Sequence, residues 1–336
     1  MDKLANLQVL RAAAAGAVLV GHVLAEAEHF FATAIPLKGL PWTRGVDLFF
    51  VISGAIIALI ILRQRPSPGS FLTRRFMRVA PLYYMFTTVM VGVVLTTPGA
   101  LKETGFEPVQ ILASYTFVPF ERSDGRIAPV LSLGWTLNYE MFFYVLASAA
   151  LFFKQPLRVL VTALTLFAFA NLLQPRPAVL HSWTNPLILE FAFGVLLGTG
   201  YARGLRLSGL AAGILAAAGM LWLYIGDDPN VPRWIGAGGA ATLITAAALY
   251  GPTPRWPVSI VRLGDASYAL YLSHRFVLRA ATLSVAPLLP AKPWAIAGFV
   301  AFTCAFAIGT ALLVHRWLEL PLLKRVKNKG TVWRAA

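Results

Sequence analysis

Charged residues and cysteine are both scarce in this 336-residue sequence. Asp, Glu, Lys and Arg together make up 13% of the chain, about half the share found in a typical soluble domain. The single cysteine, Cys304, excludes an intrachain disulfide and a cysteine-based metal cluster. The sequence also lacks a glycine-rich phosphate loop, an HExxH motif and a GxSxG motif. It therefore offers no metal site and none of the common soluble nucleophile sites.

Apolar residues are abundant instead. They make up 58% of the chain, and nine tryptophans suit interfacial anchoring in a helical bundle. Each long apolar run is able to cross about 30 Å of hydrocarbon as a helix. The sequence predicts an all-α, polytopic transmembrane bundle of about ten spans. We place the spans near residues 6–25, 46–62, 79–97, 131–153, 157–174, 184–202, 208–225, 235–250, 265–284 and 294–316.

The distribution of Lys and Arg predicts how the bundle is oriented. Alternate loops are strongly basic, and the others mix acidic and basic residues. By the positive-inside rule, the basic loops and both termini are cytoplasmic. The net charge of +15 is then explained by topology, so we expect a lipid bilayer rather than nucleic acid as the charged partner. The basic set comprises Arg63, Arg65, Arg74, Arg75, Arg78, Lys154, Arg158, Arg203, Arg206, Arg255, Arg262 and the tail.

We expect residues 1–336 to form a single membrane domain that includes one long loop and a basic C-terminal tail. Residues 98–130 form the longest extracytoplasmic loop, and the stretch 108–120 within it has the composition of a short helix. Such a loop is either a lid or acceptor-binding element, or a plain connector. Residues 319–336 form a basic cytoplasmic tail.

Arg11 and His22 are the most informative pair. They lie in one apolar run and are eleven residues apart, which is about three helical turns, so both side chains share a face. Ionisable groups are costly in hydrocarbon, and this face therefore lines a protein interior or a polar cavity. An imidazole there is able to move a proton near neutral pH. The alternative is a snorkelling arginine and a hydrogen-bonded core histidine.

Other ionisable or polar residues within or beside the spans are also candidates. Asp47 lies at the start of the second span. The alternative explanation is that the dipole at a helix N-terminus favours a carboxylate there. Glu140, with Asn138 and Tyr139, lies deep in the fourth span and is a candidate partner for the His22 imidazole, or else forms an unrelated hydrogen bond.

Two further segments are basic. Arg74, Arg75 and Arg78 precede Tyr83, and four-residue spacing puts Arg74 and Arg78 on one helix face. Guanidinium groups suit a phosphate-bearing ligand, although topology or anionic lipid explains them equally well. His274 and Arg275 lie in the ninth span and indicate a polar interior face.

The order and spacing of these segments resemble the acyltransferase type 3 family of bacterial membrane O-acyltransferases, particularly its exopolysaccharide acetyltransferase branch. The resemblance covers nearly the whole chain and rests on LQVLRAAAAGAVLVGH, GVDLFFVISG, FLTRRFMRVAPLYY, SLGWTLNYEMFFY, GDASYALYLSH and LELP.

The resemblance implies the activity and the roles of several residues. The expected reaction moves an acyl group from cytoplasmic acetyl-CoA to a hydroxyl of an extracytoplasmic glycan, in the bacterial inner membrane. It implies His22 as the catalytic residue, acting as general base, with Arg11 as its hallmark partner and Glu140 orienting the imidazole. It assigns the coenzyme A phosphates to Arg74, Arg75 and Arg78, with Tyr83 beside them. We assign Asp47, Asn138, Tyr139, His274 and Arg275 to substrate binding.

A transporter or flippase of a glycan or lipid intermediate is the alternative function. Ionisable residues within spans are equally natural there, and paired internal repeats would favour it. A structural membrane subunit with a satisfied polar core is a third interpretation. An acyl-enzyme relay through His22 or a tyrosine also remains open. The sequence does not decide the acceptor glycan or the oligomeric state.

Overall fold

A computed structural model describes residues 4–96, 107–174 and 177–324. Within these ranges the secondary structure is helical, apart from one isolated antiparallel bridge between Glu121 and Ile127. Residues 98–106 of the expected loop 98–130 and residues 325–336 of the basic tail 319–336 lie outside the described residues. The expectation of an all-α fold is confirmed for the described part of the chain.

Ten of the helices correspond in position to the ten predicted spans. They are α1 (Ala5–Phe31), α2 (Gly45–Gln64), α3 (Pro68–Thr96), α5 (Trp135–Ala150), α6 (Pro156–Ala170), α8 (Leu189–Ala202), α9 (Gly209–Ile225), α10 (Arg233–Tyr250), α12 (Ser267–Ser284) and α13 (Pro293–Val314). Three shorter helices connect them: α4 (Pro108–Thr116), α7 (Ala178–Thr184) and α11 (Val258–Asp265).

Among the described residues, five helical segments are long and apolar enough to cross a membrane: Ala5–Phe31, Trp42–Gln64, Pro68–Thr96, Pro156–Leu173 and Pro293–Lys324. Of the others, α5, α8 and α9 have only 16, 14 and 17 residues, whereas α10 is rich in Gly and Ala and α12 contains His274, Arg275 and Arg279. A membrane protein with several apolar helices is therefore supported. The count of ten spans and the side on which the termini lie remain predictions.

The helix continues from α13 through Pro321, although a proline usually ends or kinks a helix. It widens into a π-helical turn at His315–Glu319 and then continues to Lys324. Across this turn the Leu320 N–H donates to the carbonyl of His315, five residues earlier. A π-turn changes the hydrogen-bond register just before the residue that has no N–H, and so the proline is accommodated.

Of the five candidate segments, Trp42–Gln64, which contains α2, has the highest mean hydropathy, 2.6, and α2 packs most extensively against α8. Glycines make this approach possible. A Cβ added at Gly194 would lie 2.0 Å from the Val51 carbonyl oxygen, and one added at Gly54 would lie 2.1 Å from that of Phe191. The two backbones touch along this line, as small residues allow in membrane helix pairs.

Aromatic rings fill the core beside this contact. Phe191 of α8 stacks on Phe50 of α2, with ring centroids 4.6 Å apart, and on Phe143 of α5, at 4.4 Å. All three rings are buried. They fix α5 against the α2–α8 pair, and α5 carries several of the candidate site residues.

The bundle has two ends, which we call the N-terminal face and the opposite face. The N-terminal face is the end where α1 begins, marked by Leu4 and by Leu323 of the helix that follows α13. The opposite face includes Trp42, which lies against Gly21 near the end of α1, and the start of α2. Helix α1 therefore runs from one face to the other, with Arg11 nearer the first and His22 nearer the second.

The α2–α8 contact predicts a selective sensitivity to small volume changes. We expect Gly194→Ala to lower the free energy of unfolding by about 1–3 kcal/mol, because the new methyl group has to push two backbones apart. Gly298→Ala in α13 is the matched control, since nothing lies within 4 Å of its added Cβ. Thermal denaturation in detergent measures both, and equal melting temperatures would refute the close-contact interpretation.

Candidate functional site

A central cavity of about 530 Å³ extends into the bundle from the N-terminal face. It lies between α1, α2, α3, α5 and α12, with the C-terminal segment beside its entrance. Leu4, Leu320 and Leu323 line the outer part, whereas Thr136 and Tyr271 line the inner end. A volume of this size is typical of a small-molecule site.

Three arginines line this cavity: Arg11 from α1, and Arg75 and Arg78 from α3. The sequence predicted that Arg74 and Arg78 share one helix face, but Arg75 and Arg78 are the two arginines of α3 that face the cavity. Arg74 is exposed to solvent, and Arg75 takes its place. Residues three apart share a helix face as readily as residues four apart, so the helix phase alone decides between them.

Tyr83 does not line the central cavity. Its ring packs on Phe117, with centroids 5.0 Å apart, and its hydroxyl fills the space beside Gly134. It is fully buried and supports the outer loop. Three other tyrosines line the cavity in its place: Tyr144 of α5, and Tyr268 and Tyr271 of α12.

Glu140 lines the central cavity, but it is not the hydrogen-bond partner of His22. One carboxylate oxygen accepts hydrogen bonds from the Tyr144 hydroxyl and, at 3.3 Å, from the Ser53 hydroxyl. Arg75, on the same cavity, is a nearby opposite charge. The sequence predicted that Glu140 pairs with the His22 imidazole, and the structure does not show this pair. Glu140 instead lies beside the arginines on the cavity wall.

The partner of His22 is His274, 252 residues away in the chain. The Nδ1 atom of His22 lies 3.0 Å from Nε2 of His274. The two rings also stack, with centroids 5.1 Å apart and planes inclined by 16°. His274 is almost fully buried, whereas His22 keeps partial exposure.

A backbone carbonyl determines the direction of these hydrogen bonds. Nδ1 of His274 lies 3.0 Å from the carbonyl oxygen of Leu270, which is only able to accept. In neutral His274 the proton therefore resides on Nδ1, and Nε2 accepts from the Nδ1–H of His22. Nε2 of His22 then carries the free lone pair, and within the described part of the chain it has no hydrogen-bond partner. This geometry is that of an oriented base.

Tyr271 lies between the central cavity and the histidine pair. It lines the inner end of the cavity, and its ring centroid is 6.2 Å from that of His274. Its hydroxyl donates to the Leu133 carbonyl at 2.9 Å and lies 3.0 Å from the Thr136 hydroxyl. Neither histidine lines the cavity. Arg275, the next residue after His274, is close enough to His22 to interact with it electrostatically.

Asp47 forms a buried ion pair that the sequence did not predict. Its two carboxylate oxygens accept from Nε and Nη2 of Arg233, at 2.8 and 2.9 Å. The fully buried Glu190 lies beside Asp47, and Arg233 stacks over the Trp135 ring, with 5.5 Å between its Cζ and the ring centroid. These contacts join the opposite-face ends of α2, α8, α10 and α5. Asp47 is thus engaged by a partner within the chain.

Asn138 and Tyr139 face away from the central cavity. They line a second cavity of about 310 Å³, beneath the outer loop on the other side of α5.

The expected short helix in the loop forms as α4, and the loop continues into a hairpin. At the hairpin tip the Arg126 guanidinium donates to Asp124 and lowers the pKa of that carboxyl.

Among the residues that the structure describes, no group of three or more His, Cys, Asp or Glu side chains is placed to hold a metal ion. The described polar clusters are hydrogen-bonded side chains and ion pairs. What the site offers chemically is an oriented imidazole, a cavity lined by cations, and a second cavity across α5.

The buried ion pair predicts a large loss of stability when it is broken. We expect Arg233→Ala to lower the free energy of unfolding by about 3 kcal/mol, since Asp47 is left buried without its partner. Lys38→Ala removes one partner of an exposed pair with Glu28, which is worth about 0–1 kcal/mol. Thermal denaturation separates the two variants. Equal losses would contradict the assignment, and the double variant D47N/R233Q should regain part of the stability.

Comparison with known proteins places the chain in a family. The acyltransferase 3 profile, described as an acyltransferase domain, matches residues 4–314. The exopolysaccharide production protein ExoZ of Rhizobium meliloti (strain 1021) is 33% identical over 313 residues, covering 87% of this chain and 94% of that protein. The acyltransferase MdmB of Streptomyces mycarofaciens is 28% identical over 379 residues, covering 98% and 94% respectively. No solved structure matches the chain.

These findings favour acyl transfer over the transporter alternative. The profile spans the cavity arginines and the histidine pair, and the relatives extend over nearly the whole described bundle. The chain belongs to the acyltransferase 3 family of membrane acyltransferases.

Proposed function

We propose that this protein is an O-acetyltransferase of the bacterial inner membrane. It moves an acetyl group from cytoplasmic acetyl-CoA to a hydroxyl of an extracytoplasmic exopolysaccharide or lipid-linked sugar. The observation that carries this proposal is the central cavity, which is lined by three arginines and ends at Tyr271, next to the histidine pair. The name of the relative ExoZ, an exopolysaccharide production protein, supports a glycan acceptor.

The proposed sidedness follows from charge. Basic residues are concentrated in the loops at the N-terminal face, where Arg74 and Arg158 are exposed. The positive-inside rule puts this face in the cytoplasm, and with ten spans both termini lie there. The central cavity then opens to the compartment that holds acyl-CoA. His22 lies nearer the opposite, extracytoplasmic face.

Acetyl-CoA enters this cavity with its thioester leading. Arg75 and Arg78 are the cavity cations that attract its phosphates, by bidentate contacts that suit guanidinium groups. Arg11, hydrogen-bonded at 3.3 Å to Gln8, adds a third positive charge on the wall. The uncharged pantetheine arm then extends along the apolar wall towards Tyr271. Glu140, hydrogen-bonded to Tyr144 and Ser53, interacts with Arg75 on this wall rather than with His22.

The transfer itself needs one base. Nε2 of His22 takes the proton of the acceptor hydroxyl, and the oxygen attacks the thioester carbonyl carbon. The tetrahedral intermediate collapses with cleavage of the C–S bond. The coenzyme A thiolate leaves, and the proton returns to it from the His22 imidazolium. A new ester C–O bond forms and the imidazole is regenerated.

His274 is a positioning residue in this scheme. It accepts the Nδ1–H of His22 and thereby keeps Nε2 unprotonated and directed towards the acceptor. When His22 becomes an imidazolium, the same hydrogen bond spreads its charge onto a second ring. This role replaces the one first expected of Glu140. Arg275 interacts electrostatically with His22 and adds positive charge beside the developing oxyanion.

Access between the cavity and His22 requires side chains to move. In this conformation Tyr271 and Phe49 close the inner end of the cavity, with ring centroids 6.5 Å apart. The thioester has to pass these two rings before the acceptor oxygen is able to attack it. Entry of the donor and opening of this aromatic pair are therefore coupled steps.

Substitution of His22 tests the assignment of the base. We expect His22→Ala to reduce acetyl transfer by at least about a thousandfold, while acetyl-CoA still raises the melting temperature of the purified protein. His29→Ala is the control, because His29 is an exposed histidine on the same helix. His22→Ala protein that retains transfer would refute the mechanism.

The donor site is tested by charge removal at matched positions. We expect the double variant R75A/R78A to lose stabilisation by acetyl-CoA, since both guanidinium groups line the cavity. The variant K154A/R158A removes the same charge from exposed positions on the same face. Thermal shifts with acetyl-CoA and with dephospho-CoA measure the effect. Equal loss in both variants would mean that the arginines act only through overall charge.

A further inference from the structure

The second cavity, on the far side of α5 from the arginines, has no role in the mechanism above. Its volume of about 310 Å³ is at the small end of the range for ligand sites. One wall comes from α5, another from α7, and the roof from the hairpin of the outer loop. The lining residues are Pro119, Gly125, Ile127, Trp135, Asn138, Tyr139, His181, Ser182, Trp183 and Asn185.

The roof of this cavity is fixed to the bundle by buried side chains of α4. Nε2 of Gln110 donates to the Ala128 carbonyl at 3.1 Å, and Oγ of Ser114 accepts from the Val130 N–H at 2.9 Å. The hairpin itself closes through the Arg122 N–H, which donates to the Arg126 carbonyl. The cavity is therefore a built feature rather than a gap under a loose connector.

Two buried polar atoms in the lining have no partner within the described residues. Asn138 is 4% exposed, and its Oδ1 accepts no hydrogen bond. The indole N–H of Trp183 donates none. Both residues line the cavity, and buried polar groups are almost always satisfied, so an unpaired acceptor and an unpaired donor beside one cavity point to a ligand that supplies both. A sugar hydroxyl group donates and accepts.

The rest of the lining favours an uncharged, ring-shaped ligand. Trp135, Tyr139 and Trp183 present aromatic surface, which suits the C–H faces of a sugar ring. The Trp183 ring is held by stacking on Phe142, with centroids 4.7 Å apart and planes 4° apart. No Asp, Glu, Lys or Arg is among the lining residues, which argues against phosphate or a charged headgroup.

We propose that this cavity is an anchor subsite for a neutral sugar unit of the acceptor. The inference rests on the proposed function, because it gives the glycan acceptor a binding place. His22 does not line the cavity. Trp135, which lines the cavity, packs under Arg233, and Arg233 pairs with Asp47 of α2. The bound unit is therefore a neighbour of the sugar that receives the acetyl group, and the subsite selects acceptors longer than one sugar.

The test removes the two unpaired polar atoms and keeps the shape of the cavity. In the double variant N138L/W183F, leucine is close to asparagine in size, and phenylalanine keeps the stacking on Phe142. The probe is the set of neutral oligosaccharides released by depolymerising the exopolysaccharide of the host bacterium, compared with their monosaccharides. Calorimetric titration of detergent-purified protein gives the affinity, and steady-state assays give KM and kcat.

We expect the double variant to bind the oligosaccharides about tenfold more weakly and to raise their KM to the same extent. The monosaccharide KM, the acetyl-CoA response and kcat should not change. W294F is the control, since Trp294 is an exposed tryptophan outside the cavity. An unchanged oligosaccharide affinity in N138L/W183F overturns the inference, and so does a wild-type protein that binds none of the oligosaccharides.

The two proposals fail in different ways. If wild-type protein binds the oligosaccharides through this cavity but transfers no acetyl group to them, the proposed reaction is wrong and the sugar site stands. If wild-type protein acetylates the oligosaccharides and N138L/W183F does so with the same KM, the reaction stands and the subsite is wrong. Repeating the titration on His22→Ala protein separates binding from turnover.

Discussion

A hydrogen bond between two imidazoles, His22 and His274, is the interaction on which the proposed mechanism depends. Polar groups inside a membrane protein need partners from the protein itself, because the surrounding hydrocarbon offers none. The carbonyl of Leu270 satisfies one end of the pair and so determines where both protons reside. The consequence is a lone pair on one ring nitrogen, held in place in the half of the first helix that lies nearer the opposite face.

Helix α5 organises the chemistry around this pair. One side of it, with Thr136 and Glu140, lines the cavity that we assign to the donor. Its other side, with Asn138 and Tyr139, lines the cavity that we assign to the acceptor glycan. The ion pair between Asp47 and Arg233 ties the start of this helix to α2 and α10. Helix α5 thus lies between the two proposed substrate sites, and Tyr271 and Phe49 have to move before the thioester reaches His22.

The sequence predicted the helices well and the contacts between them less well. Long apolar runs define helices regardless of their neighbours, so each predicted span coincides with a helix. Partners far apart in the chain depend on packing, which is why the pairing of His22 with His274 and of Asp47 with Arg233 was missed. The choice of Arg75 over Arg74 depends on the rotation of α3 about its own axis. Tyr83 points away from the central cavity because Phe117 of the outer loop packs on its ring. The sequence of residues 98–130 did not predict that contact.

Sidedness of the reaction is the most direct test of the central claim, that acetyl groups cross the membrane through this bundle. The protein is reconstituted into sealed vesicles in one orientation, with acetyl-CoA supplied only at the N-terminal face and the acceptor oligosaccharide trapped on the other side. Labelled acetyl in the trapped oligosaccharide is then measured over time. We predict that acetylated product accumulates in the compartment that contains no acetyl-CoA. Product that forms only when donor and acceptor share one compartment would contradict the account.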